Sequence, residues 1–155
     1  MILLYNNEAD IAYLIKSPTE KLIAYIDCSI ASTESSLHIS LQNALDLPDY
    51  YGANYDALND CLQDESIINE KENLIVLSNS EHLLKEETEQ SLIHFFDVLM
   101  EAADYWNMEH DAADKCLMIL VENSARIMTF VEDLELDYMI VGETEGLQDD
   151  DETQS

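Results

Sequence analysis

Three runs of nearly unbroken apolar residues punctuate the chain. Residues 22–30 read LIAYIDCSI, residues 73–78 NLIVLS and residues 115–121 KCLMILV. Continuous apolarity over so few positions, rather than alternation, predicts strands buried on both faces, as in a parallel sheet. Helical patterns lie between them. Starting at Ser32 or Thr33, apolar Leu37, Leu41, Ala44 and Leu45 recur at helical spacing. Residues 81–87 predict a short helix that Ser80 can cap, and residues 89–106 carry the strongest helical pattern, with Leu92, Phe95, Phe96, Leu99 and Ala103 along one face. Strands alternating with helices predict an α/β sandwich of two or three layers around a small parallel sheet. Residues 126–141 resume apolar character and predict a further helix or strand. Residues 142–155, with Glu143, Glu145 and an acidic run at 149–152, predict a disordered tail.

Composition narrows the function classes. The 155 residues suit one domain with appendages, and 47% of them are hydrophobic, too many for an acidic disordered chain. Against 34 acidic side chains stand 6 basic ones, a formal charge of −28. Such a surface repels phosphate backbones and anionic lipid, so neither nucleic acid nor membrane is the expected partner. A cationic protein is the natural complement, although charge of this kind also serves solubility alone or a salty cytoplasm. Cys28, Cys61 and Cys116 are odd in number, widely spaced and set among apolar residues, which predicts reduced core thiols. Apolar MILLY at residues 1–5 has no basic lead and is followed by acids, unlike a signal peptide, and the run at 116–121 is far short of a membrane span. The expectation is a soluble cytoplasmic protein.

One segment carries candidate chemistry. Residues 47–62 read LPDYYGANYDALNDCL. Pro48 stops the preceding helix, Gly52 permits a turn and close backbone approach by a partner, and Asn54 can cap a new helix. On a wheel of about 100° per residue, Tyr55, Leu58, Cys61 and Leu62 form a core face. Asp56, Asn59, Asp60 and Gln63 occupy the opposite side, with Asp64 at its border. Asp56 and Asp60, four apart, repel by about 0.2–0.5 kcal/mol, offset in part for Asp56 by the positive helix end. No lysine or arginine occurs from Ala24 to Glu70. These acids are either a solvated face or the complement of an arginine-rich site on another protein.

The segment resembles the signature of barstar, the intracellular inhibitor of the ribonuclease barnase, and of barstar-like immunity proteins. The shared elements are Leu-Pro-acid-Tyr-Tyr-Gly, then Asn, then Asp-Ala-Leu, then Asp-Cys-Leu, and the likeness extends more loosely over residues 22–122. The resemblance implies a barstar-like α/β fold: a small three-stranded parallel β-sheet packed with helices, in residues 22–122. Around it would lie an N-terminal extension (1–21), a C-terminal extension (123–141) and the tail (142–155). It implies a protein that binds a cognate basic ribonuclease or RNase toxin without catalysis, cofactor or metal, its carboxylates taking the places of RNA phosphates. Carried over by position, Asp56 and Asp60 match the two inhibitory aspartates, and Tyr50, Tyr51, Gly52 and Asn54 the binding loop. Tyr50 is expected to reach the partner and Tyr51 to be at least partly structural. Glu101 is the best match to a contributing glutamate on the family's long helix, with Asp97 its competitor. Asn59 stands where the family has an aromatic residue and Ala53 where it has an acid, departures that bear on which nuclease is bound. The extensions and a longer connection at 107–114 are either extra contacts or decoration.

Other classes fit less well. His94, Asp97 and Glu101 recur at i, i+3 and i+7, and Glu109, His110, Asp111 and Asp114 cluster, but neither set matches an H-E-x-x-H helix or an EF-hand loop. No Ser-His-Asp elbow, phosphate-binding glycine loop or nucleotide fingerprint is present, so an enzyme is not expected. The alternative binding class is a nucleic-acid mimic or immunity protein against a DNase or other DNA-binding protein, which would spread the effect over many acids.

Overall fold

The computed structural model describes residues 1–109 and 115–142. Their strands form a single parallel sheet. The strands are β1 (Ile2–Tyr5), β2 (Lys21–Asp27), β3 (Glu72–Ser78), β4 (Cys116–Glu122) and β5 (Tyr138–Val141), ordered β2-β3-β4-β1-β5. The helices are α1 (Ala12–Lys16), α2 (Glu34–Leu45), α3 (Tyr55–Leu62), α4 (Glu89–Asp104) and α5 (Ala125–Asp133).

The expected three strands are β2, β3 and β4, but the sheet has five. The other two come from the segments read as extensions, with Ile2 in register with both Ile119 and Tyr138. β1 lies within the apolar run MILLY, but both strands are only four residues long, too short to read as strands by themselves. The segment at 126–141 holds a helix and a strand together. Of the acidic cluster after α4, His110, Asp111 and Asp114 lie outside the described residues, as does the tail from 143 onward.

Strand alternation sorts the core into two layers. Ile2, Leu4, Ala24, Ile26, Ile75, Leu77, Ile119 and Val121 meet Leu37 and Leu41 of α2, Leu58 and Leu62 of α3, Phe95, Phe96 and Leu99 of α4, and Ile127 and Val131 of α5. On the other face Tyr5, Leu74, Val76 and Leu120 are covered by Ile11 and the partly buried Leu14 and Ile15. Burying both faces explains why the central strands read as continuous apolar runs.

Two helix expectations need correction. Residues 81–87 form no helix: a 3-10 turn at Ser80–His82 is followed by irregular chain. There Leu84 N–H donates to the Ala31 carbonyl and Glu86 N–H to that of Ser32, so these donors serve the neighbouring loop instead of a helical ladder. Leu84 sits in the left-handed region at φ 51°. The long helix ends at Asp104 and continues as a π-helical turn, Tyr105–Glu109. All three thiols are free; Cys28 is buried, and Cys61 and Cys116 are half-buried.

Candidate functional site

The chain leaves α2 through Asp46, whose left-handed φ of 52° ends that helix. It then crosses the loop 47–54 and enters α3. The left-handed turn of this loop falls at Ala53 (φ 54°), not at Gly52, which is exposed and receives a bond from the Asn54 side-chain amide at 3.3 Å. Asn54 caps α3 as its position predicts, its Oδ1 accepting from Ala57 N–H at 2.8 Å. Replacing this cap, Asn54→Ala, is expected to cost about 1 kcal/mol, whereas Asn54→Ser retains most of the stability. Urea unfolding of the two variants checks this, and equal midpoints would remove the cap from the account.

Three anchors fix the orientation of α3. Tyr55 is buried, its hydroxyl 2.9 Å from Ser91 Oγ, which in turn donates to Glu34. Its ring lies between His38 and His94, with centroids 5.2 and 4.7 Å away. Burial pushes its phenol up to about 12. At the far end of α3, Trp106 Nε1 donates to the Leu62 carbonyl at 2.7 Å. Between these, Leu58 and Leu62 are fully buried. With this side of α3 pinned, Asp56 and Asp60 are exposed and Asn59 is half-exposed.

The adjacent tyrosines point opposite ways. Tyr50 is 87% exposed, while Tyr51 is 9% exposed and its hydroxyl bonds His38 Nδ1. His38 is itself 3% exposed, and its Nε2 has no hydrogen-bond partner among the described residues. Burial holds its imidazole below the ordinary value, with Glu34 pulling weakly upward. The native fold therefore binds fewer protons here than the unfolded chain. The contribution is complete above the unfolded value near pH 6.5 and is lost as pH falls below it. His38→Gln, which keeps a polar partner for Tyr51, should flatten the fall in melting temperature between about pH 7 and 5. Parallel curves for the two proteins would contradict this assignment.

Two hollows flank α3. One, of about 310 Å³, is lined by Asp46, Pro48, Tyr50, Asp60, Asp64 and Ser66 among others, so Tyr50 and Asp60 share a concavity. Asp64 accepts from Ser66 N–H and Oγ, both at 2.8 Å, which hold its carboxyl below the usual range. The second, of about 430 Å³, is lined by Gln63, Asp97, Glu101, Asp104 and Tyr105. Asp97 and Glu101, read as competitors, thus line one hollow together, and Tyr50 lines the other. Gln63 bridges inward, its Nε2 donating to Asn59 Oδ1 at 3.0 Å. Asp104 was missed by sequence reasoning, although its spacing from Asp97 and Glu101 continues the same helical stripe. Asp46 had no such signal, because only the fold brings it to Asp60.

The charge on this surface is uncompensated. The ion pairs among the described residues are Lys21–Glu72 at 3.6 Å and His82–Glu81 at 3.7 Å, neither on α3 or its hollows. Among the described residues no group of three or more His, Cys, Asp or Glu is placed to hold a metal ion. No helix among them is long and apolar enough to cross a membrane.

A family model described as Barstar (barnase inhibitor) matches residues 22–122, which hold β2 to β4 and the whole of this surface. The chain belongs to the barstar family. This is an inhibitor family rather than an enzyme family, and its members' partners are ribonucleases. No curated protein matches this chain. Among solved structures, the ORC2 protein of Aeropyrum pernix in ADPNP–ADP complexes has a TM-score of 0.57 at 12% identity, and its ADP form 0.54 at 11%. Each likeness covers 90% of this chain but 41% of the other, so this barstar-family chain spans about two fifths of their length. The likeness is one of fold and reaches beyond the residues that the family model matches.

Proposed function

We propose that this protein binds a cognate basic ribonuclease, or an RNase toxin, in the cytoplasm and blocks its active site with α3 and the preceding loop. The observation that carries this reading is the pair Asp56 and Asp60, exposed and without an ion-pair partner among the described residues, on a helix whose other side is locked into the core. Tyr50, Gly52 and Asn54 form the loop side of the contact, Asn59 lies between the two acids, and Glu101 with Asp97 extends the acidic surface on α4. A ribonuclease needs cations to hold RNA phosphates, and carboxylates facing them make charge-assisted hydrogen bonds. Because α3 is fixed before binding, little ordering cost falls on association. Complementary fields then speed encounter, most strongly at low salt. No bond is made or broken, and the plug acts by occupying the phosphate positions.

The test is capture from the source lysate by the tagged protein and by its Asp56→Ala/Asp60→Ala variant, with RNase assays on the bound material. A basic ribonuclease held and silenced by the wild type and lost by the variant is the expected outcome. Equal capture by both would replace the plug with mimicry spread over the acidic surface, and a silenced DNase would replace the target.

A further inference from the structure

The two faces of the sheet are covered unequally. Among the described residues α2, α3, α4 and α5 pack on one face, and residues 8–16 alone cross the other, on their way from the end of β1 to the start of β2. β1 and β4 are neighbours, yet the chain leaves β1 over one face, through α1, and β4 over the opposite face, through α5. In an open parallel sheet such a switch point, outside the carboxyl ends of the strands, is where ligands sit.

A hollow of about 380 Å³ opens there, on the face opposite α3. Ile15, Val76 and the exposed ring of Tyr25 give it an apolar body. Its polar lining is unusual. Tyr5 lines it and is only 1% exposed, but its hydroxyl makes no hydrogen bond among the described residues. Buried hydroxyls are normally paired. Burial, and then Glu122 and Glu8, push this phenol above its ordinary value, so it stays neutral with two carboxylates nearby. Glu8 and Lys16 also line the hollow, both exposed and neither in an ion pair among the described residues. Glu8 begins the covering segment, beside the carboxyl end of β1, and Lys16 ends it. Eight residues of mixed 3-10 and α-helix separate them by about 12–14 Å along the axis. The hollow therefore has a carboxylate and an unpartnered hydroxyl at one end, an ammonium at the other, and apolar side chains between.

We propose that this hollow binds a small zwitterion whose ammonium and carboxylate are held apart by an apolar body, the chemistry of a short apolar peptide. The ligand's ammonium donates to Glu8 and to the Tyr5 hydroxyl oxygen, and its carboxylate accepts from Lys16. Its body lies on Ile15, Val76 and Tyr25. An extended tripeptide, about 10 Å long, spans these groups with the two flexible charged side chains closing the remainder. A phosphate-bearing ligand does not suit the site: Asn6 and Asn7 follow β1 where a phosphate loop needs glycines, and Glu8 and Glu122 oppose an anion at Tyr5.

Calorimetric titration of the full chain with Ala-Leu-Ala, and with its N-acetylated and C-amidated forms, tests this. The free tripeptide should bind, and each blocked form should bind at least about tenfold more weakly. Lys16→Gln should weaken the free peptide and no longer distinguish it from the amidated one. Tyr5→Phe removes only the unpartnered hydroxyl, so its melting temperature should not fall, while the free peptide binds about tenfold more weakly. No binding of the free tripeptide at millimolar concentration, blocked forms that bind as well as the free one, or a Tyr5→Phe protein that binds it like the wild type would each overturn the proposal.

Discussion

Asp60→Ala is expected to weaken binding of the partner ribonuclease by about 2–5 kcal/mol, roughly 30- to 4,000-fold in Kd. The size follows from where the side chain sits. Asp60 projects from a helix that is anchored at both ends, and it lines the same hollow as Tyr50. No ion pair within the described chain satisfies it, so its carboxylate arrives ready for a cation. In the complex the nuclease cations around it would be desolvated, and truncation would leave them buried and unpaired, which costs more than the contact itself is worth. Asp56 lies in the first turn, where the helix end already favours its charge, so Asp56→Ala should cost less than Asp60→Ala. Glu101→Ala and Asp97→Ala should cost less still, with the larger loss identifying the α4 carboxylate that the partner reaches. Isothermal titration of each variant checks the order, and unchanged melting temperatures separate lost binding from lost folding. Equal small losses at all four positions would contradict a plug centred on Asp60.

The second large effect concerns stability. A chain cut to residues 22–122 should fail to reach the native fold, although those residues are the span that the family model matches. The cut removes β1, which lies between β4 and β5, and with it Ile2, Leu4, Tyr5 and Ile11, none more than 1% exposed. At about 1.5–3 kcal/mol per buried side chain, these four alone contribute about 6–12 kcal/mol. That is comparable to the whole stability of a typical domain, about 5–15 kcal/mol. Ile127, Phe130 and Val131 of α5 are lost as well, baring the helix side of the same core. Circular dichroism and urea unfolding of the truncated chain measure the effect. A cooperative transition with an unchanged midpoint would show that the flanking strands are dispensable.

How much of this was legible depended on the length and burial of each element. β3 and β4 announce themselves because each is buried on both faces, and β2 because its middle is a continuous run of apolar residues, although Tyr25 within it is exposed. β1 and β5 hold four residues each, and β5 exposes Met139 at 50%, so neither carries a periodic signal of its own. Their identity as strands comes from pairing with β4 and with each other, which no local pattern encodes. The helix expected at 81–87 failed for a related reason: its polar residues are compatible with a helix, but their backbone donors are claimed by Ala31 and Ser32, about fifty residues earlier. α3 was readable in detail because Asn54 caps it, Tyr55, Leu58 and Leu62 bury one side, and Asp56 and Asp60 occupy the other. His38 was not readable as a support for Tyr51, since a lone histidine on a helix does not say what will pack against it. The hollows, too, assemble residues from separate elements, as Asp46 and Asp60 illustrate.

Titration of the captured ribonuclease with increasing wild-type protein tests the central claim most directly. Cleavage of RNA should fall linearly and reach zero at one equivalent of wild type. The Asp56→Ala/Asp60→Ala protein should need a large excess, with the gap between the two narrowing as salt rises. Residual activity at saturation, or inhibition by the double variant at the same single equivalent, would contradict an active-site plug built on these two carboxylates.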